Sequence, residues 1–166
     1  MKFNLMMTRR SLALFLLILP CFLASAVAQT SKDAKTKVAL LAVTAPADLG
    51  LVHLVANEVK SADFELSVNN VGDFVEVGGN ELQLKMSTKD IVLCRFTLPE
   101  AGKRFVVILS PAKPSGYKAH VVRTDDPSFK RGDCFFLNLT SKTILGKLGT
   151  KQFTLEASKS LVQRPI

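Results

Sequence analysis

The tripeptide Arg131-Gly132-Asp133 has the most recognisable chemistry in the sequence, because animal adhesion receptors bind the same three residues on matrix proteins. Receptor binding requires the tripeptide at an exposed, projecting tip. Here the apolar segment from Cys134 to Leu139 follows at once and indicates a strand. Glycine readily adopts a positive φ and aspartate accepts local backbone hydrogen bonds, so both residues suit a tight turn. We therefore expect a turn that leads into a strand rather than an adhesion loop.

Asn138-Leu139-Thr140, in the same segment, fits the N-glycosylation acceptor pattern. The asparagine is expected at the end of the strand, where the next bend begins. Glycosylation requires an accessible surface position, which a strand residue does not offer. We therefore interpret the pattern as structural.

Two histidines, His53 and His120, are the only imidazole groups with which the chain could perform acid–base or metal chemistry. Each lies in an alternating apolar segment, LVHLV or KAHVV, which is typical of a strand. A general base needs a partner within hydrogen-bond reach, and a metal site needs three or four ligands. The sequence supplies neither at a recognised spacing, and it has no HExxH, paired CxxC or GxSxG motif. We predict no catalytic residue, no metal ligand and no cofactor.

Two segments resemble ligand-binding loops but differ from them in spacing. LGKLGTK, residues 145–151, does not place its glycines as a phosphate-binding P-loop does, and it is typical of a hairpin. Asp125-Asp126-Pro127 offers fewer oxygen ligands than calcium needs. We expect a loop there, in which an aspartate accepts hydrogen bonds from the backbone that follows.

Cys94 and Cys134 are the cysteines outside the N-terminal segment, and an exported protein could bridge them. A disulfide needs Cβ atoms that face each other. Cys94 falls on the apolar face of IVLCRF, whereas Cys134 falls on the less apolar face of CFFLNL with Asn138, opposite Leu139. We therefore expect the two thiols to point to different sides, and a disulfide is the alternative.

Most of the chain has the rhythm of a β protein, because short apolar or alternating segments recur about every 8 to 12 residues between turn formers. FELSV (64–68) and ELQLKM (81–86) alternate as in a sheet with one face in solvent. Val-Gly-Gly-Asn at 77–80 predicts a hairpin, and the continuously apolar RFVVILS (104–110) predicts a central strand covered on both faces. No segment has helical spacing with credible caps. The sequence therefore predicts an all-β antiparallel β-sandwich, immunoglobulin-like or similar.

Residues 1–28 have the features of a cleavable Sec-type signal peptide. A basic start is followed by the apolar run LALFLLILPCFL, too short to span a bilayer comfortably, and by Ala26-Val27-Ala28, which fits the cleavage rule. We predict cleavage after Ala28 and a periplasmic or secreted protein with no membrane span. Residues 29–36 would form a flexible tail and residues 37–166 a single domain.

The chain without residues 1–28 has 19 basic and 14 acidic residues, which gives a net charge of +5. The lysines are scattered singly along the sequence. A nucleic-acid surface would need clustered basic residues interleaved with stacking aromatics, so we do not expect nucleic-acid binding. Weak attraction to acidic polymers of the cell envelope is the most that this charge predicts.

The segment FKRGDCFFLNLTSKTILGKLGTKQFTLEASKS, residues 129–160, combines these features in one order. A phenylalanine is followed by a glycine, by an apolar strand ending in Asn-Leu-Thr and by a Leu-Gly hairpin. With the preceding ILSPAKPSGYKAHVV, it resembles the core of a group of uncharacterised exported proteins of Gram-negative bacteria, over residues 104–160. The resemblance implies a β-sandwich, and it implies no activity and no catalytic residues.

These features predict a non-catalytic exported β-sandwich that binds another envelope protein or has a structural role in the envelope. Its binding surface would lie on loops that a rigid sandwich presents, and an exposed sheet edge would allow strand addition. The candidate binding residues are Lys113, Tyr117, Lys118, Arg123, Asp125, Asp126, Arg131 and Asp133.

A module that binds glycans or polyanions is the alternative function. A sugar would stack on Tyr117, because the chain has one tyrosine and no tryptophan, beside Lys113, Lys118 and Arg123. A single ring makes a small platform. A hydrolytic enzyme is the third hypothesis, and a cleft that holds a histidine beside a carboxylate would support it.

Overall fold

The computed structural model describes residues 35–165, and these residues form an all-β structure without a helix. They belong to one compact unit, Asp33–Ile166, in which the described hydrophobic core lies. The predicted signal peptide and nearly all of the predicted tail lie outside the described residues. The strands are β1 (Thr36–Ala42), β2 (Leu51–Ala56), β3 (Val59–Lys60), β4 (Phe64–Glu65), β5 (Val75–Val77), β6 (Glu81–Met86), β7 (Val92–Thr97), β8 (Arg104–Pro111), β9 (Tyr117–Arg123), β10 (Cys134–Leu137), β11 (Ile144–Leu148), β12 (Lys151–Leu155) and β13 (Ser160–Gln163).

Two sheets make up most of the structure. One has the order β5-β1-β8-β9, and the other has the order β3-β2-β6-β7, with β4 also paired to β2. Within them, neighbouring strands are antiparallel except for β1 and β8, which run parallel. Buried side chains from both sheets belong to one cluster, so the sheets pack face to face in a β-sandwich-like arrangement. The predicted all-β class with antiparallel sheets is confirmed.

The core between the sheets follows the two-residue period of strand side chains. In β8, Phe105, Val107 and Leu109 are fully buried, whereas Val106 and Ile108 on the other face are half-buried. The predicted central position of this strand is confirmed, since β1 and β9 flank it. The predicted cover on both faces is wrong.

The turn at Val-Gly-Gly-Asn, residues 77–80, does not form the predicted hairpin. β5 before it pairs with β1, whereas β6 after it pairs with β2 and β7, so the chain crosses from one sheet to the other. Asn57 supports this crossing, because its Nδ2 donates to the Gly78 carbonyl oxygen at 2.9 Å. A Cβ on Gly79 would lie 2.8 Å from the same Nδ2. Two glycines allow a sharp turn, but they do not determine which strands pair.

Residues 129–165, here the C-terminal unit, contain two small antiparallel sheets, β10-β13 and β11-β12. The predicted LGKLGTK hairpin is confirmed and joins β11 to β12. Gly146 faces Phe153 across this hairpin, and the Phe153 ring lies where a Gly146 side chain would project. The same ring packs against Phe136 of β10, with the ring centroids 4.7 Å apart. Glycine is required at this position because an aromatic ring covers the strand.

The segment after β10 reverses one sequence prediction. The pattern places Leu139 on the more apolar face and Asn138 on the opposite face. In the structure Asn138 is 1% exposed and Leu139 is 42% exposed. The reason is that β10 ends at Leu137, so the alternation of a strand no longer applies. The burial of Asn138 agrees with a structural role for the Asn-Leu-Thr pattern.

Asn138 connects the parts of the C-terminal unit through its side-chain amide. Its Nδ2 lies within hydrogen-bond distance of the carbonyl oxygens of Lys142, Leu155 and Glu156, at 2.7, 3.1 and 3.0 Å. Its Oδ1 accepts hydrogen bonds from the backbone N–H and the hydroxyl of Thr140, at 2.9 and 2.8 Å. The amide therefore joins the entry of β11 to the end of β12.

We expect Asn138→Ala to destabilise the protein by about 2–4 kcal/mol, because buried carbonyl groups lose their donor. Asn138→Asp should be worse, since a carboxylate would face those carbonyl oxygens. Urea unfolding followed by circular dichroism measures both changes. Asn70→Ala is the matched control, because Asn70 is exposed and its change should stay below about 0.5 kcal/mol. Equal losses for the two alanine variants would contradict the role of Asn138.

Candidate functional site

The Arg-Gly-Asp tripeptide forms the predicted turn, with Gly132 at φ +92° and Arg131 exposed. The Asp133 carboxylate is engaged within the protein. It accepts hydrogen bonds from Arg164 Nε at 2.7 Å and Nη2 at 3.0 Å, and from the Lys130 N–H at 2.8 Å. The Arg164 hydrogen bond is the main cause that lowers the Asp133 pKa.

The Asp133 side chain is 3% exposed, although its partner Arg164 is 56% exposed. An adhesion receptor would need this carboxylate at an open tip. Here the carboxylate is already bound by Arg164 and by the Lys130 N–H, so Asp133 is engaged within the C-terminal unit.

Asp125 and Asp126 likewise serve the loop between β9 and β10. Asp125 accepts hydrogen bonds from the Lys103 N–H at 2.7 Å and from Arg123 Nε at 2.8 Å. Asp126 Oδ1 accepts the N–H and the hydroxyl of Ser128, at 2.8 and 2.6 Å, which is the expected aspartate turn. These hydrogen bonds lower the pKa of both carboxyl groups. Asp125 and Arg123 therefore pair with each other, and Asp126 is used within its own turn.

Of the residues considered for a sugar platform, Tyr117 and Lys118 point to opposite faces of the sheet, because adjacent strand residues alternate. Tyr117 packs against the core, while Lys118 is exposed. The Tyr117 hydroxyl is buried and has no hydrogen-bond partner among the described residues. Burial, followed by the neighbouring Cys94, raises the Tyr117 pKa. Lys113 is exposed on the preceding loop, and the half-buried Tyr117 ring lies against the core.

Cys94 and Cys134, the pair considered for a disulfide, are both free thiols. Cys94 is buried in the core, and burial raises its pKa to about 11. Cys134 lies half-buried at the start of β10. The Cys94 thiol therefore stays protonated at neutral pH and is a poor nucleophile.

A polar cluster that the sequence did not indicate surrounds His53. Its Nδ1 lies 3.1 Å from the Ser87 hydroxyl and 3.4 Å from Asp63 Oδ1. Ser87 donates to the same Oδ1 at 2.7 Å, and Lys60 Nζ lies 2.9 Å from it. Ser87 is 34 residues away from His53 in the chain, and the pairing of β2 with β4 and β6 brings the cluster together. No sequence motif could have found this cluster.

The order of the groups in this cluster differs from that of a nucleophilic relay. In a relay the imidazole lies between serine and aspartate, and each ring nitrogen faces one of them. Here one nitrogen of His53 faces both, and the Ser87 proton goes to Asp63 instead of the imidazole. Burial is the main cause that lowers the His53 pKa, followed by the charge of Lys60. The hydrogen bond from Ser87 is the main cause that lowers the Asp63 pKa, followed by the hydrogen bond from Lys60. The cluster therefore holds a neutral imidazole next to a charged carboxylate and has a structural role.

The edge of β9 is the longest open backbone feature near the candidate loops. β9 spans seven residues, and β8 is its only neighbour in the sheet. The Thr124 N–H donates to the Arg104 carbonyl at 2.9 Å, and the Ala112 N–H donates to the Gly116 carbonyl at 3.0 Å. These two bonds set the phase of the antiparallel ladder, in which alternate residues bond to the neighbouring strand.

The other residues of β9 direct their backbone N–H and C=O groups away from β8. They are Tyr117, Ala119, Val121 and Arg123. Among residues 35–165, no strand other than β8 pairs with β9. The edge therefore offers a row of donors and acceptors to an added strand.

An apolar cavity of about 590 Å³ lies at the start of this edge. Ala45, Leu49, Ile91, Leu93 and Tyr117 are among its lining residues. Ile91 is 49% exposed, so the cavity opens to solvent. The cavity and the β9 edge together form what we call the edge site.

A second, polar cavity of about 810 Å³ lies on the outer face of the β3-β2-β6-β7 sheet. His53, Lys60, Lys85 and Arg95 contribute to its lining. Asp63 and Asp90 pair with the two lysines, so most of this charge is already compensated.

Residues 35–165 contain no group of three side chains suited to hold a metal ion. In the same part of the chain, no helix has the length and apolarity needed to cross a membrane. No protein-family model matches the chain, and comparisons with curated proteins and with solved structures find no match either.

His53 and His120 should make stability depend on pH between neutrality and mild acid. His120 Nε2 lies 3.1 Å from the Ser110 hydroxyl, and burial and then Lys118 lower its pKa from 6.5, in the same direction as for His53. The unfolded chain therefore binds protons at a higher pH than the folded one. The stability that the neutral histidines contribute is complete above pH 6.5, the ordinary histidine pKa. It is lost as the pH falls through the lowered histidine pKa values of the folded protein.

We expect the unfolding free energy to be smaller at about pH 5.5 than at about pH 7.5. The chain has only two histidines, so the double variant His53→Gln, His120→Gln should lose most of this difference. Urea unfolding at both pH values measures it, with each single variant as a control. An unchanged difference in the double variant would show that other groups are responsible.

Proposed function

We propose that this protein is a non-catalytic, exported binding module of the cell envelope that accepts an extended segment of a partner protein as an added strand on β9. The observation that carries the proposal is the outward row of backbone groups on β9 beside an apolar cavity. In strand addition, main-chain hydrogen bonds supply affinity and adjoining pockets supply specificity. The edge site has both parts.

Other strand edges of the sandwich offer less to a partner. β5, at the opposite edge of the same sheet, has three residues, and β3 and β4 have two each. β7 has six residues, but its pairing with β6 contains a register shift. β9 is the longest edge and pairs in regular register along its length.

The chemistry around β9 favours an acidic segment with an apolar side chain. β9 carries Lys118 and no carboxylate, and Lys113 lies on the loop before it. A carboxylate on the added strand would be attracted to these two lysines. An apolar side chain at its end would fill the cavity that Ile91 and Leu93 line.

Export and the finer fold assignment are parts of the same proposal. Residues 1–28 would direct secretion to the periplasm or the exterior, which agrees with a partner in the envelope. An immunoglobulin-like sandwich would present such an edge in the manner of other strand-adding modules.

Selection from a displayed library of random ten-residue peptides tests the function. We expect enriched peptides to combine acidic residues with an apolar one, and calorimetry on a synthetic copy gives the affinity. Ala119→Pro should weaken binding by at least about tenfold, because proline removes an outward N–H and its ring obstructs the added strand. The fold should persist, since the Ala119 N–H is not bonded to β8.

Glu76→Pro is the matched control at the opposite edge of the same sheet. The Lys37 N–H bonds to the Lys103 carbonyl on the β8 side, so Thr36 and Val38 face β5. Glu76, which lies opposite Lys37, therefore directs its N–H outward as Ala119 does. Binding should be unaffected by Glu76→Pro. No enriched peptide, or equal losses for both proline variants, would refute the edge site.

A further inference from the structure

The positive charge of this protein is concentrated in the C-terminal unit. Residues 35–128 contain 11 basic and 11 acidic residues, so this part has no net charge. Residues 129–165 contain seven basic and two acidic residues, so this unit carries the whole net charge of +5 that residues 35–165 have. Lysines occur in both parts, but the excess of basic over acidic residues lies in one small part of the fold.

The lysines of the C-terminal unit are available for an external partner. Asp133, one of the two acidic residues of the unit, forms an ion pair with Arg164. Glu156 is the other acidic residue. Among residues 35–165, the salt bridges of the protein involve none of the unit's lysines. These exposed lysines are Lys130, Lys142, Lys147, Lys151 and Lys159.

The β11-β12 hairpin with its entry, residues 142–155, adds exposed apolar surface to this charge; we call it the basic hairpin. Leu145 is 84% exposed, the largest value among the exposed large hydrophobic side chains, and Ile144 is 38% exposed. Leu145 and Lys147 share the face opposite to Gly146 and the Phe153 ring. The segment has three lysines and no carboxylate.

We propose that the basic hairpin docks the C-terminal unit on an anionic lipid bilayer. Lysines bind acidic headgroups through their charge, and their long apolar stems allow them to stay at the interface. Leu145 then enters the apolar boundary between headgroups and acyl chains. A polyanionic sugar would use the lysines as well, but it would gain nothing from an exposed leucine.

The proposal concerns a surface separate from the edge site on β9, so each can be tested without the other. The experiment uses residues 29–166, which contain the described core and lack the apolar run Leu12 to Leu23. Vesicles of phosphatidylcholine alone are compared with vesicles that contain about one third phosphatidylglycerol, by co-sedimentation. We expect binding to the anionic vesicles only, and weaker binding as salt is added.

Two variants separate charge from insertion. The triple variant Lys142→Glu, Lys147→Glu, Lys151→Glu should weaken vesicle binding more than about 100-fold, at about fivefold or more for each lysine. Leu145→Ser should weaken vesicle binding about fivefold or more, and it should leave binding to heparin, a soluble polyanion, unchanged.

The triple variant Lys89→Glu, Lys103→Glu, Lys113→Glu is the matched control, since these lysines are exposed on the sandwich and the change in net charge is the same. It should retain most of the vesicle binding, and circular dichroism verifies the fold of every variant. Equal losses for the two triple variants would overturn the proposal in favour of net charge alone. Binding to heparin but not to vesicles, no effect of Leu145→Ser, or equal binding to neutral vesicles would overturn it as well.

Discussion

β8 is the strand on which the rest of the structure depends. Its side chains Phe105, Val107 and Leu109 are fully buried between the sheets, and its backbone pairs with β1 on one side and β9 on the other. Because β8 is bonded on both edges and β5 covers β1, the sheet ends with β9. The pairing that builds the core therefore also leaves the outward row of backbone groups at which a partner strand could add.

The charged residues serve the two parts of the fold in different ways. In the sandwich, several carboxylates pair with nearby groups, such as Asp63 with Ser87 and Lys60 or Asp125 with Arg123. In the C-terminal unit Asp133 is used by Arg164, and the lysines face solvent. Charges that are paired stabilise local geometry, whereas unpaired charges of one sign create a field for an external partner. The hydrogen-bonding groups on the β9 edge require a partner strand in one alignment, whereas the electric field of the basic hairpin attracts an anion in any orientation.

Elements that depend on a few neighbouring residues could be predicted from the sequence. ELQLKM became β6, Asp126 accepts the expected hydrogen bonds from Ser128, Gly132 has the expected positive φ, and LGKLGTK is a hairpin. The two glycines at 77–80 misled the prediction, because a turn can join strands of one sheet or cross to another. The buried position of Asn138 could not be predicted either, since it depends on carbonyl groups that come from β12 and its flanks.

The sequence by itself determined the strand periodicity, the turn chemistry and the all-β class, because side-chain alternation and the φ preferences of glycine and aspartate act within a few residues. Only the tertiary structure decided which strand is an edge, that His53 meets Ser87 and Asp63, and that Tyr117 points into the core. Those features depend on contacts between residues distant in the chain. Strand pairing, which short sequence patterns do not encode, establishes such contacts.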